Sequence, residues 1–215
     1  MKAIIFDMDG VIVDSEPLHF KVEKEIFEEF SGTFDPEFHK NFIGTPDITM
    51  WAAFKEQFNV DADIEHLLEL KFDLFIQNLD QVPLIDGLEY LMSILSKEGY
   101  SLALASSNGR KVVDNIIEKF KLHRYLDFSI SGDEVTNGKP HPEIFLTVAK
   151  KFNIKPSECL VIEDSENGVK AAKAAGMKCI GYKNPNSGDH DLSIADLIIS
   201  NYSELNLETM KNLFS

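Results

Sequence analysis

Two aspartates that follow a short apolar run have the types and spacing of a catalytic pair. Asp7 and Asp9 come directly after the run of residues 2–6, and Gly10 follows them. The run has no polar alternation, which is typical of a buried parallel strand, and residues i and i+2 of a strand point to the same side. Two carboxylates held this close raise each other's pKa unless a cation neutralises them. The pair therefore predicts a bound metal or a shared proton, although two solvated turn aspartates would show the same local pattern.

The elements that must position this pair alternate between strands and helices. After the first strand, the predicted strands are residues 101–105, 128–131, 159–162, 178–182 and 197–199, and the predicted helices are 88–97, 111–120, 142–152 and 168–175. Such alternation indicates an α/β fold, with a parallel sheet covered by helices on both faces. Ligands of such sheets bind outside the carboxyl ends of the strands, which is where the two aspartates lie.

The segment from residue 15 to residue 81 differs from the rest of the chain. Its apolar residues recur at helical spacing, and it holds ten of the sixteen phenylalanines, enough for a small core of its own. It carries 15 acidic and 5 basic residues, so −10 of the net charge of −15 lies here. We therefore expect a helical domain over residues 15–81, inserted into a core domain formed by residues 1–14 and 82–215.

Three further loops follow predicted strands and carry polar residues to the same edge of the sheet. Residues 106–109 form a turn before a helix, where backbone N–H groups bind anions, although an ordinary N-cap has the same sequence. Lys139 precedes a proline on a stiff segment that keeps its charge aimed, whereas a lone loop lysine is usually solvated. Glu163 and Asp164 are adjacent carboxylates, which suits a hard cation or the N-terminus of the next helix. The number and order of these loops favour a single site to which all of them contribute.

The charge of the chain bears on its partners. A net charge of −15 disfavours nucleic acid and anionic membranes, and the only arginines are Arg110 and Arg124. A phosphorylated ligand would therefore be bound by a metal, a lysine and backbone N–H groups. Cys159 and Cys179 abut apolar runs, as buried thiols do, and make no disulfide framework. No leader sequence is evident and no apolar run reaches the roughly 20 residues of a membrane span, so we expect a cytoplasmic protein.

The residues of these loops resemble a known family. Asp7, Asp9, Ser106, Lys139 and the pair 163–164 match the four motifs of the haloacid dehalogenase-like (HAD) hydrolases in type, order and spacing. The insert is similar to the α-helical cap of the branch that contains phosphoglycolate phosphatase and β-phosphoglucomutase. The resemblance covers essentially the whole chain. It implies a Rossmann-like core domain with an inserted all-helical cap that closes to exclude water.

The resemblance also implies roles for the core residues. Asp7 would be the nucleophile that forms an aspartyl phosphate. Asp9 would be the general acid for the leaving oxygen and then the base that activates water. Ser106 and Lys139 would hold the phosphoryl oxygens. The further substrate-binding groups that it implies are the backbone N–H of Ser107 and the side chain of Asn108.

Mg²⁺ is the cofactor that the resemblance implies. It would be bound by the Asp7 carboxylate, the Asp9 carbonyl and Asp164, with Glu163 as a ligand or bound through water. The ion and a lysine would neutralise charge as an anionic nucleophile approaches an anionic phosphate. Dehalogenases of this fold attack carbon without a metal, and the second aspartate and the acidic fourth motif disfavour that reaction here.

The insert bears on the choice between a phosphatase and a phosphosugar mutase. A mutase must bind a second phosphate, and β-phosphoglucomutases carry a lysine and an arginine beside a glycine of the cap. The comparable residues 42–47 contain Gly44 but neither basic residue, and the insert has no arginine. Lys71, Lys40 or Lys21 could substitute for them. His19 occupies a position that both mutases and sugar-phosphate phosphatases use, and we expect His19 and Gly44 to line the substrate site.

We therefore expect a Mg²⁺-dependent phosphatase of a small phosphorylated metabolite, a sugar or polyol monophosphate. The alternative is a phosphosugar mutase of the β-phosphoglucomutase type. A regulatory or binding protein that keeps the fold without turnover is disfavoured, because Asp7, Asp9, Lys139 and Asp164 are all present. We expect a monomer or a weak homodimer.

Overall fold

The computed structural model describes residues 2–42 and 47–214. The chain divides into two compact units, one formed by Met1–Asp14 with Leu84–Ser215 and the other by Ser15–Pro83. The sequence-based prediction places the insert at residues 15–81. None of the helices in the described ranges has the length and apolar composition that a membrane crossing requires.

The larger unit is built on one parallel sheet. Its strands in the described residues are β1 (Ala3–Phe6), β2 (Ser101–Ala105), β3 (Phe128–Ile130), β4 (Cys159–Glu163), β5 (Lys178–Tyr182) and β6 (Leu197–Ile199). They lie in the order β3-β2-β1-β4-β5-β6, and every neighbouring pair is parallel. The predicted α/β fold with a parallel sheet is confirmed.

The helices of the described residues complete both units. They are α1 (Glu16–Ser31), α2 (Pro36–Lys40), α3 (Asp47–Phe58), α4 (Ile64–Gln77), α5 (Leu88–Lys97), α6 (Arg110–Lys119), α7 (Glu143–Phe152), α8 (Glu166–Ala174) and α9 (Leu207–Asn212). The first four form the smaller unit, which confirms the all-helical insert, and the rest belong to the larger unit. α9 lies beyond the last element that the sequence predicts.

β1 lies at the centre of the sheet and is buried along its whole length. None of its residues, Ala3 to Phe6, has exposed surface. Ile5 lies opposite Ala103 of β2 and Val161 of β4. On one face of the sheet, Phe145 of α7 joins Ile5 and Val161 in a single hydrophobic cluster. A strand covered in this way needs no polar alternation, which explains the continuous apolar run before the first aspartate.

The strand order reverses between β1 and β4. The chain runs outward from β1 through β2 to β3 and then crosses back to place β4 on the other side of β1. At such a switch point the loops after the two neighbouring strands part to opposite sides, and a crevice opens outside their carboxyl ends. The loops that begin at Asp7 and Asp164 flank this crevice.

The smaller unit has an aromatic core. The Phe27 ring of α1 lies 3.9 Å from the Phe54 ring and 5.5 Å from the Trp51 ring, both on α3, measured between ring centroids. Trp51 and Phe54 have no exposed surface. The many phenylalanines of the insert therefore supply a core of its own, as the sequence predicts.

A buried ionic group lies beside this aromatic core. The Glu23 carboxylate accepts hydrogen bonds from His39 Nε2 and from Lys71 Nζ, the latter at 2.5 Å. Lys71 Nζ also lies 2.6 Å from Asp47 Oδ1. Burial alone would raise the pKa of Glu23, but the bond to His39 and the charge of Lys71 outweigh it and lower this pKa to about 2. The carboxylate is therefore a stabilising charge inside the smaller unit.

Candidate active site

The first loop of the site begins where β1 ends. The Asp7 N–H donates to the Ile162 carbonyl oxygen at 3.0 Å, so the backbone pairing with β4 continues one residue beyond β1. The chain then turns at Gly10, whose φ of +70° favours glycine. The Gly10 N–H closes this turn by donating to the Val13 carbonyl oxygen at 2.7 Å. Asp7 is left buried, with only 7% of its surface exposed.

The buried Asp7 carboxylate is paired with the Lys139 ammonium. Lys139 Nζ donates to Asp7 Oδ1, to Glu163 Oε1 at 2.7 Å and to the Ala105 carbonyl oxygen at 3.2 Å. Burial lowers the pKa of a lysine, but the two carboxylates outweigh it and raise the pKa of Lys139. Lys139 is therefore a permanent positive charge between Asp7 and Glu163.

The turn after β2 brings polar groups to the second aspartate. Ser106 is buried, and its Oγ accepts a hydrogen bond from the Asn108 N–H at 3.0 Å. Asn108 Nδ2 donates to Asp9 Oδ2 at 2.5 Å. The Asn108 carbonyl oxygen accepts from the Gly132 N–H at 2.8 Å, which ties the turn to the loop after β3. Ser107, the remaining residue predicted for this turn, is exposed.

The two acidic residues at the end of β4 have different surroundings. Glu163 Oε1 accepts from Lys139, while Oε2 accepts from the Ser165 N–H at 2.8 Å and from the Ser165 hydroxyl at 2.9 Å. Asp164 Oδ2 instead accepts from the Ser187 hydroxyl. Both Glu163 oxygens are therefore fixed by hydrogen bonds, and whether Glu163 binds a cation directly or through water stays a prediction.

Asp7 and Asp164 have the chemistry of ligands for a hard cation. Burial raises the pKa of Asp7 to about 8, with Lys139 opposing this and Glu163 adding to it. Burial also raises the pKa of Asp164, and the Glu163 and Asp7 carboxylates act in the same direction. A divalent cation beside them would favour the ionised forms, and carboxylate oxygens suit Mg²⁺.

The donor set therefore fits Mg²⁺, with the Asp9 carbonyl as the further oxygen that the sequence suggests. Within residues 2–42 and 47–214, no group of three or more His, Cys, Asp or Glu side chains is arranged to hold a metal ion. The proposed ligand set is not a group of this kind, because it consists of two carboxylates and one backbone oxygen. The ligand assignment stays a prediction.

The structure describes only one of the two substrate-binding residues that the sequence predicts in the insert. His19 stacks on Phe75 of α4, with the ring centroids 4.5 Å apart and the planes 16° from parallel. This contact gives His19 a packing role within the smaller unit, and its role in binding substrate stays a prediction. Gly44 lies outside the described residues.

Sequence reasoning missed two residues that hold the acidic side chains in place. A Cβ on Gly168 of α8 would lie 1.7 Å from Glu163 Oε1, so only glycine leaves room for that carboxylate. The predicted helix 168–175 begins at this glycine, so the local sequence did not mark it as the space that Glu163 needs. Ser187 lies in the polar loop after β5, and nothing in the local sequence marks it.

Residues 4–182 match the sequence profile of the haloacid dehalogenase-like hydrolases. The chain belongs to this family, and the resemblance of its motifs is confirmed. Among solved structures it is similar to a HAD hydrolase of family IA, variant 3, from Entamoeba histolytica. The two share 27% identity with a TM-score of 0.89, over 100% of this chain and 99% of the other.

Two relatives indicate the reaction class. The phosphorylated carbohydrates phosphatase of Thermotoga maritima is 33% identical over 184 residues, which are 84% of each chain. The β-phosphoglucomutase of Bacillus subtilis is 31% identical over an alignment that covers 98% of this chain and 94% of its own. With the family assignment, they identify this chain as a HAD-like phosphohydrolase.

Proposed function

We propose that the protein is a Mg²⁺-dependent phosphatase that hydrolyses a small phosphorylated metabolite through an aspartyl phosphate on Asp7. The main support is the buried Asp7 carboxylate, which is paired with Lys139 at the end of β1. A nucleophile that must approach an anionic phosphate needs a neighbouring cation and a fixed orientation before the substrate arrives. Lys139 supplies the charge, and the backbone pairing of Asp7 supplies the orientation.

The residues around Asp7 account for both steps of hydrolysis. In the first, an Asp7 oxygen attacks phosphorus, the ester P–O bond breaks and Asp9 gives its proton to the leaving oxygen. In the second, Asp9 takes a proton from water, the water oxygen attacks phosphorus and the bond to Asp7 breaks, which releases inorganic phosphate. Asn108, through its 2.5 Å bond to Asp9, would orient the carboxyl that moves these protons.

Lys139 and the turn after β2 would bind the phosphoryl oxygens. Ser106 Oγ accepts from the Asn108 N–H, so its own O–H can donate to a phosphoryl oxygen. Ser107 would add its backbone N–H. These donors would stabilise the negative charge that spreads over the oxygens in the transition state.

HAD phosphatases generally use Mg²⁺. In this chain the Asp7 carboxylate, the Asp9 carbonyl and Asp164 would hold it, with Glu163 as a ligand or bound through water. When bound, the ion would neutralise charge on the phosphoryl group during transfer.

We further propose a sugar or polyol monophosphate as the substrate. The Thermotoga maritima relative is named for phosphorylated carbohydrates, which supports this class. The Bacillus subtilis relative is named a β-phosphoglucomutase and keeps the mutase as the second candidate. The internal contacts of the smaller unit favour the phosphatase.

A mutase needs cationic groups in its cap for a second phosphate. Two of the three lysines that could substitute are engaged within the smaller unit, and the third, Lys40, is exposed. Lys71, whose side chain is 7% exposed, is paired with Glu23 and Asp47. Lys21 Nζ donates to Gln81 Oε1 at 2.9 Å. Recruiting Lys71 would break a buried ion pair, which typically costs about 3–5 kcal/mol.

The proposal is tested by assaying a panel of sugar and polyol monophosphates for phosphate release, with and without Mg²⁺. In parallel, β-glucose 1-phosphate with a bisphosphate activator is assayed for isomerisation. We expect Mg²⁺-dependent phosphate release that exceeds isomerisation. Isomerisation that outruns phosphate release would overturn the phosphatase and favour the mutase. Full activity after removal of divalent cations would overturn the metal assignment.

A further inference from the structure

The turn after β5 lies against the end of β4 and holds Asp164. Ser187 Oγ donates a hydrogen bond to Asp164 Oδ2, and only 4% of Ser187 is exposed. The turn is closed within itself, since the Asn184 carbonyl oxygen accepts from the Ser187 N–H at 3.3 Å. Asn184 Oδ1 also accepts from the Asn186 N–H at 2.8 Å. The Ser187 hydroxyl is therefore presented to Asp164 by a hydrogen-bonded turn.

The same turn is attached to the loop that carries the two catalytic aspartates. Asn184 is 5% exposed, and its Nδ2 donates to the Gly10 carbonyl oxygen at 3.1 Å. Asn186 Nδ2 donates to Asp14 Oδ2 at 2.7 Å, beyond the end of that loop. The turn thus joins two segments that are far apart in the chain, the loop after β1 and the end of β4.

At Gly10, the loop after β1 packs too closely on the end of β4 to leave room for a side-chain atom. A Cβ built on Gly10 would lie 1.8 Å from Asp164 Oδ2 and 2.5 Å from Ser187 Oγ. The Gly10 backbone therefore packs directly on the bonded pair. With Oδ2 held from one side by Ser187 and from the other by the Gly10 backbone, the Asp164 carboxylate has little freedom to rotate.

We propose that Ser187 and Asn184 are positioning residues for metal binding, which hold the Asp164 carboxylate at a set distance from Asp7. This inference rests on the proposed function, in which Asp7 and Asp164 bind Mg²⁺. Ser187 holds one oxygen of the Asp164 carboxylate and so limits the orientations in which that carboxylate could meet the cation. Mg²⁺ demands near-ideal geometry, so a ligand fixed beforehand loses less freedom when the ion binds. Residues that orient metal ligands typically contribute about 10- to 100-fold in affinity.

The test is the Mg²⁺ dissociation constant, measured by calorimetric titration of the full chain without substrate. We expect Ser187→Ala to weaken Mg²⁺ binding by about 10- to 100-fold. Ser187→Thr keeps the hydroxyl and should restore most of the affinity. The matched control is Ser193→Ala, an exposed serine in the same region of the chain, which should bind Mg²⁺ as the wild type does. With saturating Mg²⁺, the kcat of Ser187→Ala should recover toward wild type, because the reacting groups are intact.

Asn184→Ala provides a second variant should Ser187→Ala not fold, because it loosens the turn and keeps the hydroxyl. We expect it to weaken Mg²⁺ binding as well. Wild-type affinity in a folded Ser187→Ala, or in Asn184→Ala when that variant replaces it, would overturn the inference and leave the proposed function standing. A wild-type protein that binds no Mg²⁺ would overturn the metal assignment of the proposed function and this inference with it.

Discussion

The Lys139 ammonium donates a hydrogen bond to the Asp7 carboxylate, although the two residues are 132 positions apart in the chain. The sheet order brings them together, because the strands that precede them lie on the same side of the crevice and end at the same edge. Both side chains are almost fully buried, so the pair is screened little by solvent. The fold therefore sets the proposed nucleophile and the charge that would assist it before substrate binds.

Gly10→Ala should lower both the stability of the fold and the kcat, for two different reasons. The substitution places a methyl group at a φ of +70°, 1.8 Å from Asp164 Oδ2. We expect a loss of about 1–2 kcal/mol in the free energy of unfolding from the left-handed conformation. Displacement of Asp164 should also lower kcat by about 100-fold. Urea denaturation and steady-state assays measure the two effects.

Gly99→Ala is the matched control for that substitution. Gly99 has a φ of +79°, but no atom lies within 4 Å of a Cβ built there. We expect a similar loss of stability with unchanged kcat. Equal kcat values for both variants and the wild type would show that the contact between Gly10 and Asp164 does not affect turnover.

Gly168→Ala tests the packing of Glu163 against α8. Helix propensity alone predicts a gain of up to about 1 kcal/mol, because alanine is favoured over glycine in a helix. The new Cβ, however, would lie 1.7 Å from Glu163 Oε1, the oxygen that accepts from Lys139. We therefore expect the free energy of unfolding to fall and activity to fall with it, as measured by denaturation and phosphate release.

Asn167→Ala, at the exposed neighbouring position of the same helix, serves as the control. It should change the free energy of unfolding by less than about 0.5 kcal/mol. A more stable and fully active Gly168→Ala would mean that Glu163 does not need the space that glycine leaves.

The part of the site that could be predicted from the sequence lies at the ends of recognisable strands. Asp7 directly follows one apolar run, and Asp164 follows another after Glu163, so recognising each strand places the residue at the binding edge. Lys139 was placed by its stiff loop and by the family motif. The strands 101–105, 178–182 and 197–199 have the bounds that the sequence predicts.

The rest could not be predicted because it depends on contacts between distant segments. Ser187 matters through Asp164, and Gly168 matters through Glu163, yet locally one is a loop serine and the other a helical glycine. The buried group around Glu23 was missed for a related reason. Apolar periodicity assigns charged residues to the solvent side of a helix, and burial of a charge depends on a partner elsewhere in the chain.

The Glu23 group predicts a pH-dependent stability of the smaller unit. The pKa of Glu23 falls from 4.5 to about 2 on folding, so the ionised carboxylate stabilises the fold above its unfolded pKa. This stability is lost as the pH falls from about 4.5 toward 2, and it amounts to on the order of 3 kcal/mol. Glu23→Gln should therefore be less stable than the wild type at neutral pH, with the difference shrinking on acidification.

Trp51 provides the measurement, because the only tryptophan of the chain lies in the smaller unit. Its fluorescence during urea unfolding is followed across that pH range for the wild type, Glu23→Gln and the control Glu25→Gln, which alters an exposed residue of α1. Glu25→Gln should follow the wild type. A constant stability difference between Glu23→Gln and the wild type at all pH values would contradict the lowered pKa.

Phosphorylation of Asp7 is tested most directly by acid-quenching the enzyme during turnover of a substrate with a radiolabelled phosphate group. We expect label on the peptide that contains Asp7, and hydroxylamine should release it, as it does from an acyl phosphate. Asp7→Asn should carry no label and turn over at least about 10³-fold more slowly. Label on another residue, or an Asp7→Asn variant within about tenfold of wild-type activity, would contradict Asp7 as the nucleophile.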